Sequence, residues 1–235
     1  MLDANRGLAL KSYQIAGWDQ FPIQKWAEEQ WGKRVVVEND ASTAGLAEAL
    51  HGSGRGYNRI FYMTIGSGIG GGWIVDGRVD NGQGLGAAEM GHTWVFEPGS
   101  GAPIELEHFC SGWAIGQRAR KAVENKKSLL VEMAGSVDAI DAKIVYAAAE
   151  KGDPLAQQIL NETCQGLGLA ISNVVALLHP QRVIVGGGVS FMGALFWDSL
   201  RREVAARSMP TFVSGVEVVR AELGEDVVVI GALCL

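Results

Sequence analysis

The sequence predicts an α/β fold, on three observations. Strand-like and helix-like segments alternate along the 235 residues. Apolar runs end in glycine clusters, as in TIGSGIGGG and RVIVGGG, where a chain leaves a strand for its next element. The apolar share is 48%, enough to fill a substantial interior.

Taken in order, the first clear element is an amphipathic helix from Pro22 to Trp31, with proline in the first turn and Gly32 just past the end. RVVVEN, Arg34 to Asn39, is β-branched and reads as a strand. DASTAGLAEAL then reads as a helix beginning near Asp40. NRIFYMTIG is a second strand, followed by a tight glycine turn, a third strand and, at Asp76-Gly77, a hairpin signal. Asp153 and Pro154 form a cap and first position for a long helix in which Leu155, Ile159, Leu167, Ile171, Val174 and Leu178 recur at helical spacing. His179-Pro180 closes it. RVIVGGG is a buried strand, FMGALFWDSLRREVAAR an amphipathic helix, and VEVVRAEL and VVVIGALCL are strand-like or buried segments. No solenoid repeat or low-complexity linker interrupts the pattern.

Composition excludes several classes. Twenty Lys and Arg stand against 26 Asp and Glu, a net charge of -6 with no basic stripe, so nucleic acid is not expected as a partner. Three scattered cysteines, Cys110, Cys164 and Cys234, do not make a disulfide framework. No signal pattern opens the chain and no apolar run reaches membrane length, so a cytoplasmic protein without a membrane partner is expected.

Three segments carry candidate chemistry. Gly66, Gly68 and Gly71 spell G-x-G-x-x-G, but a dinucleotide site needs a helix directly after the glycines, and here WIVDGRV continues as a hairpin. A glycine turn between strands can still gather main-chain amides around a phosphate, or can be a tight turn with no ligand. In VVVENDASTAGLAE, Asp40 sits at a strand-to-helix junction, where it can accept the proton of an attacking hydroxyl or simply cap the helix. Asn39 beside it can both donate to and accept from hydroxyls. In GLGAAEMGH, Glu89 and His92 are suited to reading neighbouring hydroxyls; an exposed loop glutamate and a core histidine are the alternative. Glu107, in IELEHFCSG, is a further acceptor or an ordinary glutamate at a helix start.

Together, E-N-D-A before a helix, T-x-G-x-G-x-G-G, A-x-E-x-G-H, L-E-x-x-x-S-G and a late V-I-V-G-G-G resemble, in order and over nearly the whole chain, the ROK (repressor, open reading frame, kinase) family. The resemblance implies the actin-like ATPase, ribonuclease H-like fold and an ATP-dependent hexose kinase, glucose-like in substrate and acting at the 6-hydroxyl. It implies Asp40 as the base, and Asn39, Glu89, His92 and Glu107 as the hexose-binding set. Thr64, Gly66, Ser67 and Gly68 are implied at the ATP phosphates, with Gly187 and Gly188 against the adenosine. Mg²⁺ would accompany ATP, and a homodimer is expected.

The match departs from the family twice. The family's zinc site joins the His of the G-H pair to three cysteines of a C-x-C-G-x-x-G-C segment; GHTWVFEPGSGAPIELEH has none, so no zinc is expected and a packed loop should replace the metal. The D-x-G-G-T phosphate segment of a small N-terminal lobe is also missing. Residues 1–36 therefore read as a remnant of that lobe and 37–235 as the large sugar- and nucleotide-binding lobe. The rival reading is a non-catalytic sugar-binding or sensor protein of the same family, since some members are repressors.

Overall fold

The computed structural model describes residues 2–10, 16–123 and 128–235; residue 1, residues 11–15 of the segment expected to be a lobe remnant, and residues 124–127 lie outside that description. Strands β1 (Leu2–Asp3) and β2 (Leu8–Ala9) form a short antiparallel pair. Helix α1 (Ile23–Trp31) follows as expected, entered through Pro22 and stopped by Gly32 at φ 59°. The expected strand at RVVVEN does not form. Residues 34–39 form no strand or helix, and Val36 is exposed. The Val35 amide instead goes to the Glu28 carboxylate at 3.2 Å. A β-branched run becomes a strand only where a ladder partner lies alongside.

Helix α2 (Asp40–His51) is capped by Asn39, whose Oδ1 accepts from the Ser42 amide at 3.1 Å. Strands β3 (Arg59–Ile65), β4 (Ile69–Val75) and β5 (Arg78–Val79) make the predicted strand, glycine turn, strand and hairpin. Asp76 and Gly77 both have positive φ, 50° and 72°, the two-residue turn that matches strand twist. Strands β6 (Trp94–Phe96) and β7 (Pro103–Glu105) pair as a second hairpin, so a β-ribbon stands where the packed loop was expected.

The helical half runs α3 (Leu106–Cys110), α4 (Gly112–Ala122), α5 (Leu129–Ala134), α6 (Ala142–Glu150) and α7 (Pro154–Leu178). Asp153 caps α7, accepting from the Ala156 amide at 2.9 Å, and His179 in the left-handed region ends it. Of the predicted stripe, Ile159, Leu167, Ile171 and Val174 are buried, Leu155 is half-buried and Leu178 is exposed where the helix leaves the core. Then come β8 (Arg182–Gly186), α8 (Ala194–Arg207), α9 (Pro210–Val213), β9 (Glu217–Arg220) and α10 (Val227–Ala232). VVVIGALCL is thus largely helix rather than strand. It lies along α2, with Gly231 so close to the Thr43 carbonyl that a Cβ there would overlap it.

The sheet order is β5-β4-β3-β8-β9, with β3, β8 and β9 parallel and β4 antiparallel to β3. Alternation along the strands divides the interior. Phe61, Met63, Ile65, Val183 and Val185 face α3, α4 and α6–α8, while Ile60, Tyr62, Ile74 and Ile184 face α2 and α10. Each fully buried side chain of this size contributes about 1.5–3 kcal/mol of transfer free energy.

Candidate functional site

Parallel β3 and β8 end side by side at Ile65 and Gly186, and the chain turns away from both there, which opens a crevice at their carboxyl ends. The close approach of the two turns requires glycine at 187. Its φ is 77°, and a Cβ would stand 2.6 Å from the Ile65 carbonyl oxygen. Ser190 Oγ donates to Gly187 O at 2.7 Å and Trp197 Nε1 to Ser190 O at 3.2 Å, fixing the loop after β8. The turn between β3 and β4 is closed by Gly66 N to Gly68 O at 2.9 Å and tied to the start of α4 by Gly112 N to Gly66 O at 2.7 Å.

Two cavities occupy the crevice. The smaller, about 270 Å³, is bordered by Asp40, Tyr62, Thr64, Gly187, Gly188 and Glu225. The larger, about 760 Å³, is bordered by Gly66, Ser67, Trp113, Lys143, Tyr146 and Phe191. They share Gly188, Phe191 and Glu225, so one passage leads from an aromatic-walled pocket to the Asp40 carboxylate. Trp113 and Phe191 are both more than half exposed, apolar faces on opposite segments of the larger cavity. Arg220 lies 4.3 Å over the Phe191 ring and steadies it.

Asp40 is not the helix cap that its position allowed. Asn39 takes that role, and among the described residues Asp40 Oδ1 accepts only from the adjoining Ala41 amide at 2.9 Å, on an exposed residue facing the smaller cavity. Beneath it Tyr62 is buried. Burial pushes its phenol up to about 12, against the pull of a hydrogen bond with Thr64 and with the charges of Glu48 and Asp40 adding to the rise.

The structure gathers Asp40, Thr64, Gly187 and Gly188 around the first cavity and Gly66, Ser67 and Gly188 around the second. Asn39, Gly68, Glu89, His92 and Glu107 border neither. Glu107 Oε2 accepts from the Ile69 amide at 2.8 Å and abuts Gly68, so it braces the glycine turn. His92 is exposed, with Nδ1 3.1 Å from Glu105 Oε2; His108 Nδ1 is 3.9 Å from the same oxygen. Glu89 is exposed, just before the 3-10 turn Met90–His92. Asn81 Nδ2 donates to Glu38 Oε2 at 2.7 Å, joining the loop that leads to Glu89 to the approach to α2.

The glycines of β4 do more than turn the chain. Gly70 and Gly72 face the first turn of α2, where a Cβ would come 3.0 Å from Ala41 Cβ and 2.9 Å from Ser42 Cα respectively. A Cβ at Gly71 would overlap the Ala88 carbonyl on the other side. Three successive glycines in β4 let the Asp40 turn and the Glu89 segment approach from opposite faces.

Sequence reading missed Trp113, Lys143, Tyr146, Phe191 and Glu225, which come from α4, α6, the loop after β8 and the turn before α10. Glu105 was also missed, though its place in E-L-E-H beside Glu107 was a usable signal. Among the described residues, no three His, Cys, Asp or Glu are grouped so as to hold a metal ion by themselves. Also among them, no helix is long and apolar enough to cross a membrane.

Comparison with known proteins places the chain in context. The family model for the ROK family matches residues 2–235. The glucokinase of Thermotoga maritima is 35% identical over 237 residues, covering 98% of this chain and 74% of the relative. A xylose repressor of Caldicellulosiruptor bescii is 26% identical, over 93% of this chain and 56% of its own length. Among solved structures, a ROK family glucokinase from Streptomyces griseus in complex with glucose and AMPPNP aligns with a TM-score of 0.79 at 31% identity, covering 98% of this chain and 77% of that one.

Proposed function

The chain belongs to the ROK family, and on that premise we propose that it transfers the γ-phosphoryl group of ATP to a hexose, through the two joined cavities at the ends of β3 and β8. The observation that carries the reading is their junction. A pocket walled by Trp113, Tyr146 and Phe191 suits a purine nucleoside, and it opens past Gly66, Ser67 and Gly188 onto Asp40. The fold is the actin-like α/β fold of the glucokinases it resembles.

In this reading the nucleoside lies in the larger cavity, with its phosphates directed along the Gly66–Ser67 turn and Gly188, where main-chain amides meet them without Cβ obstruction. The sugar hydroxyl reaches Asp40, which accepts its proton as the oxygen attacks the γ-phosphorus and ADP leaves. Tyr62 and Thr64 form the floor under that carboxylate. Asn39 Oδ1 is committed to the helix cap, so Asn39 meets the sugar through its amide NH₂. Glu89, His92 and Glu107 complete the hexose set, with glucose at its 6-hydroxyl as the substrate read from the motifs. Mg²⁺ would fit the donor chemistry, because Glu225 borders both cavities and could offer a carboxylate oxygen while the nucleotide brings the rest. When bound it neutralises phosphate charge.

Residues 1–36 form part of a small lobe in this reading, and 37–235 the large lobe. In support, neither buried cluster draws on a described residue of the first 36.

The test is ATP-dependent phosphorylation over a panel of hexoses, with Asp40→Asn as control. Turnover on one hexose that falls about 10²- to 10⁴-fold in the variant is expected. Hexose binding without turnover on any sugar would establish the sensor reading, which the similarity to a xylose repressor favours.

A further inference from the structure

Glu48 is buried completely, yet the mechanism above does not use it. It lies two turns along α2 from Asp40, and its partners are three main-chain amides rather than a cation. Oε2 accepts from Ser53 N at 2.9 Å; Oε1 accepts from Glu222 N at 2.9 Å and Leu223 N at 2.8 Å. A buried carboxylate without such donors would be strongly unfavourable, so the arrangement depends on all three being in place.

Two of these donors belong to the segment that walls the catalytic crevice. The last ladder bond of β9 is Ala221 N to Val185 O at 3.0 Å, and beyond it the next two amides go to Glu48. Immediately after them come Gly224, at φ 64°, and Glu225. Gly224 borders the smaller cavity and Glu225 borders both. The turn therefore leaves the sheet and is held over the passage by a side chain of the helix that carries Asp40.

We infer that Glu48 is a positioning residue for phosphoryl transfer. It fixes the 222–225 turn, the wall of the nucleotide passage, at a set distance from Asp40 through the rigid body of α2. The inference rests on the kinase reading of the cavities. Glu48 touches no substrate in this reading and acts only through the turn.

The substitution that isolates this role is Glu48→Gln. It keeps the shape but turns one acceptor oxygen into a donor that faces a main-chain donor. The end of β9 stays anchored, because Ala221 N donates to Val185 O at 3.0 Å without involving the carboxylate or its partners. The expected result is a KM for MgATP raised about tenfold, the loss of a hydrogen bond to a charged acceptor. The hexose KM should stay within about twofold and kcat within about threefold of wild type. An unchanged KM for MgATP would overturn the inference. So would an equal rise in both KM values that follows a fall in melting temperature, since that marks a merely structural carboxylate. If the glutamine variant does not fold, Leu223→Pro removes a single donor, and its φ of -82° is close to that of a proline ring; the same ratio of KM values is then read. Calorimetric binding of AMPPNP to the wild-type chain separates the two levels of argument. No binding defeats the kinase reading and this inference together, whereas normal binding that Glu48→Gln leaves unaltered defeats this inference alone.

Discussion

Replacing Gly72 by alanine should move the Asp40 carboxylate without touching it. The new Cβ would stand 2.9 Å from Ser42 Cα and 3.1 Å from Ala41 O, in the turn of α2 that begins with Asp40. Carbon atoms pack at about 3.5–4.0 Å, so one side has to yield by roughly 0.6–1 Å. Strand β4 cannot retreat freely, being hydrogen-bonded to β3 and backed at Gly71 by the Ala88 carbonyl on its other face. Helix α2 cannot retreat freely either, because Gly231 of α10 already presses on Thr43 O from behind. Overpacking of this kind costs about 1–3 kcal/mol. Gly72 has an ordinary negative φ, and stiffening the unfolded chain returns about 0.4–1 kcal/mol of that. The net loss is about 0–2.6 kcal/mol with a midpoint of about 1.3, and that midpoint is a drop in melting temperature of roughly 3–5 °C for a chain of this length. With Asp40 as the proposed base, a shift of that size should appear in kcat, by about ten- to a hundredfold, with both KM values nearly unchanged. Gly215→Ala is the control, since its Cβ would meet only Phe212 O at an ordinary 3.7 Å. A Gly72→Ala protein with wild-type melting and wild-type kcat would refute the close-packing argument.

Three further outcomes follow from the geometry. Glu105→Ala should release His92 Nδ1 and raise the hexose KM about fivefold, while Glu105→Gln, which still accepts from that nitrogen, stays near wild type in steady-state kinetics. Tyr62 holds its proton up to about pH 12 in the folded chain and only to about 10 when unfolded. The native state then binds more protons at high pH. That stabilisation is complete below pH 10 and is lost between 10 and 12, so denaturant melts over this range should show a shallower decline in Tyr62→Phe. Burial pushes the Cys110 thiol up strongly and the Cys164 thiol up to about 12. A thiol reagent should therefore label half-buried Cys234 in the native protein and reach the other two only after unfolding, read by mass spectrometry.

Local signals were legible wherever the chain's own chemistry decided the outcome. Pro22 with Gly32, Asp76-Gly77 and Asp153-Pro154 each fixed an element boundary by backbone preference and capping. The two misread segments, RVVVEN and VVVIGALCL, are both β-branched. One found no strand to pair with, and the other found α2 to lie along and a glycine that let it come close. At the site, sequence order singled out Asp40, Thr64, Gly187 and Gly188, which the fold gathers around one cavity. It did not disclose Trp113, Tyr146 or Phe191, because an aromatic wall assembled from α4, α6 and the loop after β8 has no signature in any one stretch of chain. Nor did it show which of Asn39 and Asp40 caps α2, since they differ by one position at the same helix start; the cap is Asn39.

The pairing of β3 with β8 also bears on how the molecule assembles. Gln181 Oε1 accepts from the amides of Asn58 and Arg59, 123 and 122 residues earlier, where the parallel pairing begins. Closing so long a loop is entropically unfavourable until much of the intervening chain has condensed. Helices α6, α7 and α8 pack among themselves from neighbouring stretches and can form ahead of it. Because Thr64 and Gly187 border the same cavity from opposite sides of that seam, the crevice comes into being with one of the slowest contacts in the fold. In a refolding time course, recovery of nucleotide binding should lag behind recovery of helical circular dichroism, and the length of the lag measures the closure of this single pair of strands.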